Sequence, residues 1–347
     1  MSGARSRWRD LGIAVGVLEP GRWNAITDVA GVAVGHVTLG PETGFGDAVC
    51  TGVTAVLPQG ADLPGRKLRA ACHVINGFGK TAGLVQLAEL GEVEGLILLT
   101  NTFSVGAVLE GGLRHLMQRD ARVGDDLPTP NLVVGECNDG YLNDLRLLSV
   151  RPEHAEAAIA AARGGRVAEG AVGAGKGMVS FGWKGGIGTS SRRVPESEFS
   201  VGVLVQANFG AARDLTVLGV PVGRHLKPAD FRPPDGSIIM VVATDLPWDA
   251  LSLRRLAART AFGIGRLGSV ASHGSGDIAI AFSTAEVAAH GHADGGRLAS
   301  AAFHAVAEAT EEAALNALAM AETTQGRKGR VVPALPIEET IALLRRD

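Results

Sequence analysis

"PPDGSIIMVVATD", residues 233–245, decides how the rest of the chain is read. Pro233, Pro234, Asp235 and Gly236 mark a tight turn. The chain then passes at once into Ile238, Ile239, Met240, Val241 and Val242, an unbroken apolar run that predicts a buried strand. A single small nucleophile, Ser237, stands at the mouth of that strand. Gly236 before it leaves the peptide bond open to close approach. The segment upstream, 218–236, is irregular and proline-rich, which makes it the candidate for a cut. A break between Gly236 and Ser237 would place a hydroxyl and an α-amine on one residue. An α-amine has an unperturbed pKa of about 7.7–8.0, suited to a general base near neutrality. That is the N-terminal nucleophile arrangement. The plain alternative is a turn serine ahead of a strand, and on these residues alone it is the default.

Working outward, short β-rich runs alternate with Ala/Leu-rich helical runs. Strands are predicted at 31–39, 52–58, 95–101, 131–137, 199–210, 237–245 and 277–284. Helices are predicted at 81–91, 105–118, 152–165, 249–261 and 298–320, with Pro152 in a first turn and a glycine pair closing 152–165. Residues 11–18 are read as an N-terminal strand: the apolar run is short, and no small-x-small cleavage site follows it. Many strands are apolar throughout, which predicts sheets covered on both faces with helices outside. No repeat or linker divides the chain, so residues 1–347 read as one unit.

Composition narrows the function classes. Of 347 residues 46% are hydrophobic, enough for one large core or two domains. Net charge is −3, with no block of like charge, so nucleic acid and anionic membrane are poor partners. No run reaches the ~18 apolar residues of a membrane-spanning helix. Three cysteines, Cys50, Cys72 and Cys137, form no disulfide framework and fit a reducing cytoplasm.

Several motifs offer chemistry. "GAVGAGKGM" (170–178) approaches a phosphate loop, but Gly177 stands where Ser or Thr would hold magnesium. It is no dinucleotide fingerprint either. His290 and His292 lack a ligand set of metal-binding spacing and read as a solvated loop. Glu311 and Glu312 read as a solvated or capping helix face. Lys184, among glycines in 173–192, is a surface turn lysine or a cation within a pocket. The stretch "VVGECNDGYLND" (133–144) ends a strand in Glu136 and follows it with Asn138, Asp139, Tyr141 and Asn143. Polar groups just past strand ends are where sites are built. Asn208 ends another apolar strand and needs partners there, or donates to an oxyanion. Ser275 and Asp277 stand i, i+2 at a strand start and share a face. They are a proton-handling pair or a hydroxyl turn, and spacing leaves both open.

In order along the chain, "NAITDVAGVAVGHVT" (24–38), "GFGKTAGL" (77–84), "NDGYLND" (138–144), "GMVSFGWKGGIGTSSR" (177–192), "GVLVQANFG" (202–210), "GSIIMVVATDLP" (236–247) and "GSGDIAIAFST" (274–284) together resemble the self-processing DmpA-like aminopeptidase/amidase family. That family includes L-aminopeptidase D-Ala-esterase/amidase, β-peptidyl aminopeptidases and, more distantly, nylon-oligomer hydrolase. The resemblance implies an α+β fold, an αββα sandwich of the ornithine-acetyltransferase-like type, N-terminal-nucleophile-like in its chemistry. It implies self-cleavage at Gly236–Ser237 into 1–236 (α) and 237–347 (β), with Ser237 as nucleophile, Ser275 and Asp277 as its supporting pair, Asn208 as oxyanion donor and Lys184 as a site lysine. Glu136 would hold the substrate's free amine, with Asn138 and Tyr141 nearby. Where the family often has Tyr two residues after the acid, this chain has Asn138; and it has Asp277 where relatives have Glu. Small peptide, amide or ester substrates, no metal or organic cofactor, and a tetramer of αβ units are implied. Alternatives of the same fold are an amide-oligomer hydrolase, an acyltransferase, and an unprocessed binding protein.

Overall fold

A computed structural model of the chain describes residues 5–58, 67–228, 236–286 and 296–345. Twelve strands matter to the site: β1 (Ala33–Leu39), β2 (Thr51–Leu57), β3 (Leu68–Gly77), β4 (Glu92–Val93), β5 (Ile97–Asn101), β6 (Val133–Cys137), β7 (Val179–Ser180), β8 (Trp183–Lys184), β9 (Gly186–Arg193), β10 (Ser200–Asn208), β11 (Ser237–Thr244) and β12 (Gly276–Ser283). The helices are α1 (Leu84–Leu90), α2 (Val105–Arg119), α3 (Pro152–Ala160), α4 (Ala250–Ala258), α5 (Thr260–Arg266), α6 (Arg297–Met320) and α7 (Ile337–Leu344). One sheet runs β1-β2-β5-β6 and a second runs β4-β3-β12-β11-β10-β9.

The layers follow from side-chain alternation along buried strands. In β11, Ile239, Val241 and Ala243 join Val34, Val56, Ile97, Leu99 and Val133 in a core between the two sheets. Ile238, Met240 and Val242 point the other way, to a core shared with α4, α5 and α6. On the far side, Val53, Ala55, Leu98 and Val134 pack on Val108, Leu116, Ala155 and Ile159 of α2 and α3. Helices, sheet, sheet and helices therefore stack as the expected αββα sandwich. Both parallel pairs, β5 with β6 and β11 with β12, are joined through helices, as parallel neighbours require.

Some expectations need correction. Residues 11–18 form no strand: the amides of Val17 and Leu18 donate to the Glu308 carboxylate (2.9 and 3.0 Å), not to a neighbouring strand. The helix from Pro152 stops at Ala160, because Arg163 exchanges both main-chain hydrogen bonds with Val34. Glu311 and Glu312 are buried, not solvated. Glu312 pairs with fully buried Arg192 at 2.6 Å and with Arg9 at 2.9 Å, while Glu311 pairs with Arg266 at 2.9 Å. Breaking one side of such a buried pair costs about 3–5 kcal/mol. His290 and His292 lie outside the described residues. Among the described residues, no helix is long and apolar enough to cross a membrane.

Candidate active site

Register places the polar strand ends side by side. In the β10–β11 pair Asn208 stands opposite Ser237. In the β11–β12 pair Ser237 stands opposite Gly276, the residue between Ser275 and Asp277. Three adjacent strands thus present Asn208, Ser237 and the Ser275–Asp277 pair at one end of the sheet. All four residues are buried.

Ser237 Oγ accepts from the Gly276 amide at 3.3 Å. Ser275 Oγ donates to Asp277 Oδ1 at 2.6 Å, so the pair forms as the i, i+2 spacing anticipated. Asp277 Oδ2 is buried without a well-formed hydrogen bond. Burial lifts its carboxyl to about 6, against the opposing pull of the Ser275 hydroxyl and the Ile238 amide. Asn76 of β3, which sequence reasoning missed, ties down this strand start: its side-chain amide donates to the carbonyls of Ser272 (3.0 Å), His273 (3.0 Å) and Ser275.

Asn208 is oriented from both ends. Its Oδ1 accepts from the Val179 amide (2.8 Å), and Nδ2 donates to the Asn138 carbonyl (3.1 Å). A carboxamide nitrogen carries two protons, so a second donor is left for a substrate oxygen. Asn138, Tyr141, Asn208 and Gly236 line one small cavity of about 20 Å³. The Asn138 side chain closes its own turn on the Gly140 amide (2.8 Å). The Tyr141 ring lies under the Arg330 guanidinium at 4.7 Å.

Lys184 is not a surface turn residue. It is fully buried at the end of the β7–β8 hairpin, and Nζ donates to the carbonyls of Gly175 (3.0 Å), Met178 (2.8 Å) and Gly185 (2.8 Å). Three acceptors match the three protons of an ammonium. Burial nevertheless pulls its pKa down to about 7. Asp139 is buried nearby and is pushed up to about 7 by the same cause, with bonds from Thr51 and Asn143 and the charge of Lys184 opposing.

Glu136 is the penultimate residue of β6, in the facing sheet. Its Oε1 accepts from the Lys80 amide (2.8 Å) and its Oε2 from the Thr102 hydroxyl. Thr102 was not singled out from sequence, although it follows the end of β5, the parallel neighbour of β6. Glu136 is buried and, among the described residues, has these hydrogen bonds but no ion pair. The turn after β3 links it to β12, the strand beside Ser237: a Cβ on Gly79 would lie 3.6 Å from Glu136 Oε1 and 4.0 Å from Gly276 Cα.

Residues 24–332 match the profile of Peptidase family S58. A β-peptidyl aminopeptidase, BapA, of Sphingosinicella microcystinivorans is 43% identical over 98% of this chain and 92% of that protein. The crystal structure of the PH0078 protein from Pyrococcus horikoshii OT3 superposes with a TM-score of 0.90 at 44% identity, covering 98% of this chain and 99% of the other. The L-aminopeptidase D-Ala-esterase/amidase of Ochrobactrum anthropi, described as a prototype serine aminopeptidase and a new variant of the Ntn hydrolase fold, superposes with a TM-score of 0.88 at 36% identity over 98% of each chain. With a serine at the strand mouth, a carboxylate-backed hydroxyl beside it and homology along nearly its whole length, this chain belongs to peptidase family S58, as a hydrolase of peptide or amide bonds.

Proposed function

We propose that the chain is a self-processing aminopeptidase that works through an acyl-enzyme on Ser237. The observation that supports this most directly is the row Asn208–Ser237–Gly276 across three strands, with the Ser275–Asp277 pair bracketing Gly276. In processing, Ser237 Oγ attacks the Gly236 carbonyl carbon, its proton passes to the departing nitrogen and the C–N bond breaks, leaving an ester on Oγ and a free α-amine. Water hydrolyses the ester and gives a new carboxyl-terminus at Gly236.

In turnover the same oxygen attacks the substrate carbonyl and the α-amine takes its proton. The free Nδ2 proton of Asn208 stabilises the tetrahedral oxyanion, an effect of about 2.7–4 kcal/mol per donor. The leaving amine carries a proton away, and water hydrolyses the acyl-enzyme. Asp277 polarises Ser275 toward the nucleophile, Lys184 fixes the loop at 175–185, and Glu136 takes the substrate ammonium. Asn138 and Tyr141 border the opening.

Short peptides, amides or esters with a free amino terminus are the proposed substrates. The three buried free cysteines support a cytoplasmic location. A homo-oligomer of αβ units is also proposed; exposed Val74 and Leu251 line a hollow of about 590 Å³ between β3 and α4 that offers an apolar contact surface. The test is a panel of L-, D- and β-aminoacyl anilides and amide oligomers, with and without an acceptor amine. Release of aniline from free-amine substrates supports the reading. Release only in the presence of the acceptor would make the protein an acyltransferase.

A further inference from the structure

The turn from β3 into α1 touches both halves of the site. The Phe78 amide donates to the Ser275 carbonyl at 3.2 Å, and the Lys80 amide donates to Glu136 Oε1 at 2.8 Å. Between them, Gly79 packs on the nucleophile's neighbour: a Cβ on Gly276 would lie 3.2 Å from Gly79 Cα. A Cβ on Gly79 itself would meet Ile278 Cδ1 at 3.4 Å, Glu136 Oε1 at 3.6 Å and Gly276 Cα at 4.0 Å, which is ordinary contact without collision. Alanine therefore fits at 79, but its methyl occupies the space between the carboxylate and the strand beside Ser237.

Two exposed aromatic residues stand close in sequence to the groups that bind that carboxylate. Phe78 and Phe103 are each 57% exposed, although an aromatic ring gains most from burial. Phe78 stands two residues before the amide that binds Oε1, and Phe103 follows Thr102, whose hydroxyl binds Oε2. Lys80 turns its ammonium onto the Phe78 ring, 4.3 Å from the centroid, and forms no ion pair with Glu136.

We propose that Phe78 and Phe103 form the wall that receives the side chain of the substrate's N-terminal residue, and that Gly79 sets the reach between its ammonium and the scissile carbonyl. The favoured substrate is a free-amine peptide or amide with an apolar N-terminal side chain. This inference rests on the aminopeptidase reading and on Glu136 as the ammonium anchor.

The experiment compares wild type with Phe78→Ala, Phe103→Ala and Gly79→Ala on the p-nitroanilides of glycine, leucine, β-homoleucine and aspartate. Intact mass and melting temperature are measured on each. A single methylene in an apolar pocket is worth about 10–200-fold in discrimination. Each Phe→Ala change should therefore cut the leucine-over-glycine ratio of kcat/KM at least ~10-fold, mostly through KM. Gly79→Ala should lower the β-homoleucine-over-leucine ratio by a similar factor, with the melting temperature held. Phe78→Leu, which keeps an apolar cover, replaces Phe78→Ala should that variant fail to fold, and should give an intermediate ratio. Equal losses on glycine and leucine, unchanged ratios, or a wild-type preference for aspartate would overturn the inference while leaving the aminopeptidase reading intact. A wild type inactive on all four anilides would overturn both.

Discussion

Gly236 lies so close to the main chain of Asn208 that a Cβ at 236 would stand 2.2 Å from the Asn208 carbonyl oxygen. The glycine before the nucleophile is thus required by the neighbouring strand, whose last residue is the proposed oxyanion donor. Any side chain there would push the bond to be cut away from Asn208. Gly236→Ala should slow self-cleavage strongly while leaving Ser237 in place. Intact mass should show wild type as two fragments, 1–236 and 237–347, the smaller beginning Ser-Ile-Ile-Met. Ser237→Ala should give a single inactive chain near 35.7 kDa. Cleavage at the same bond in Ser237→Ala would show that another group cuts it.

Asp277 links pH to both stability and rate. Burial raises its carboxyl from 3.8 to about 6. The folded state therefore binds this proton more tightly than the unfolded chain does. The group favours folding fully below pH 3.8, and that contribution is lost as pH rises through about 6. Activity needs the ionised form, so kcat/KM should show an acid limb near pH 6. Asp277→Asn should abolish that limb and lower the rate by about 10²–10⁴-fold. Combining it with Ser275→Ala should cost little more than either change alone, since the two act as a unit. Additive losses, or an acid limb kept by the Asn variant, would reduce the pair to a structural turn.

Glu136→Gln keeps one oxygen to accept from the Lys80 amide and replaces the other with an NH2 that can donate to the Thr102 hydroxyl oxygen, while removing the charge. KM for free-amine substrates should rise by the equivalent of about 1.5–3 kcal/mol, the worth of a charge-assisted bond. The kcat value should change much less. Wild type should barely turn over N-acetylated substrates. Equal steady-state rates on blocked and free substrates would disprove the ammonium role and point toward amide-oligomer hydrolysis.

Lys184 tests whether a buried cation acts on the substrate or on its own loop. Lys184→Met removes a hydrogen bond from three carbonyls, of which Gly175 and Met178 keep a backbone amide donor; an acceptor left with no partner and no water costs about 1–3 kcal/mol. The expected result is a lower melting temperature together with slower processing and turnover. A variant that keeps the wild-type melting temperature and loses only rate would give Lys184 a direct chemical role.

The apolar strands and long helices were legible because burial on both faces leaves an unmistakable pattern, as in β11. The strand-end polar residues were legible for the converse reason: Glu136, Asn208 and Ser237 each break or border an apolar run. What stayed hidden depends on distant partners. No strand is predicted over β9, whose residues are largely polar, yet Thr189, Ser190 and Arg192 are buried because their side chains bond Val203, Ala309 and the α6 glutamates. In α5, Gly263 weakens the helical signal but is needed where α6 comes close; a Cβ there would lie 2.7 Å from the Ala307 carbonyl. Thr102 and Asn76 carry no local signature, since their roles exist only once the turn after β3 closes over β6 and β12.

The order of the six-stranded sheet has a further consequence for biosynthesis. β12 and β11 belong to 237–347, and they are flanked on one side by β3 and β4 and on the other by β10 and β9, all from 1–236. A cut at Gly236 therefore divides the chain without dividing the sheet. Made separately, each piece would expose two raw strand edges, an invitation to aggregate. The proposed scission would therefore have to follow assembly of the sheet, with both segments translated as one polypeptide.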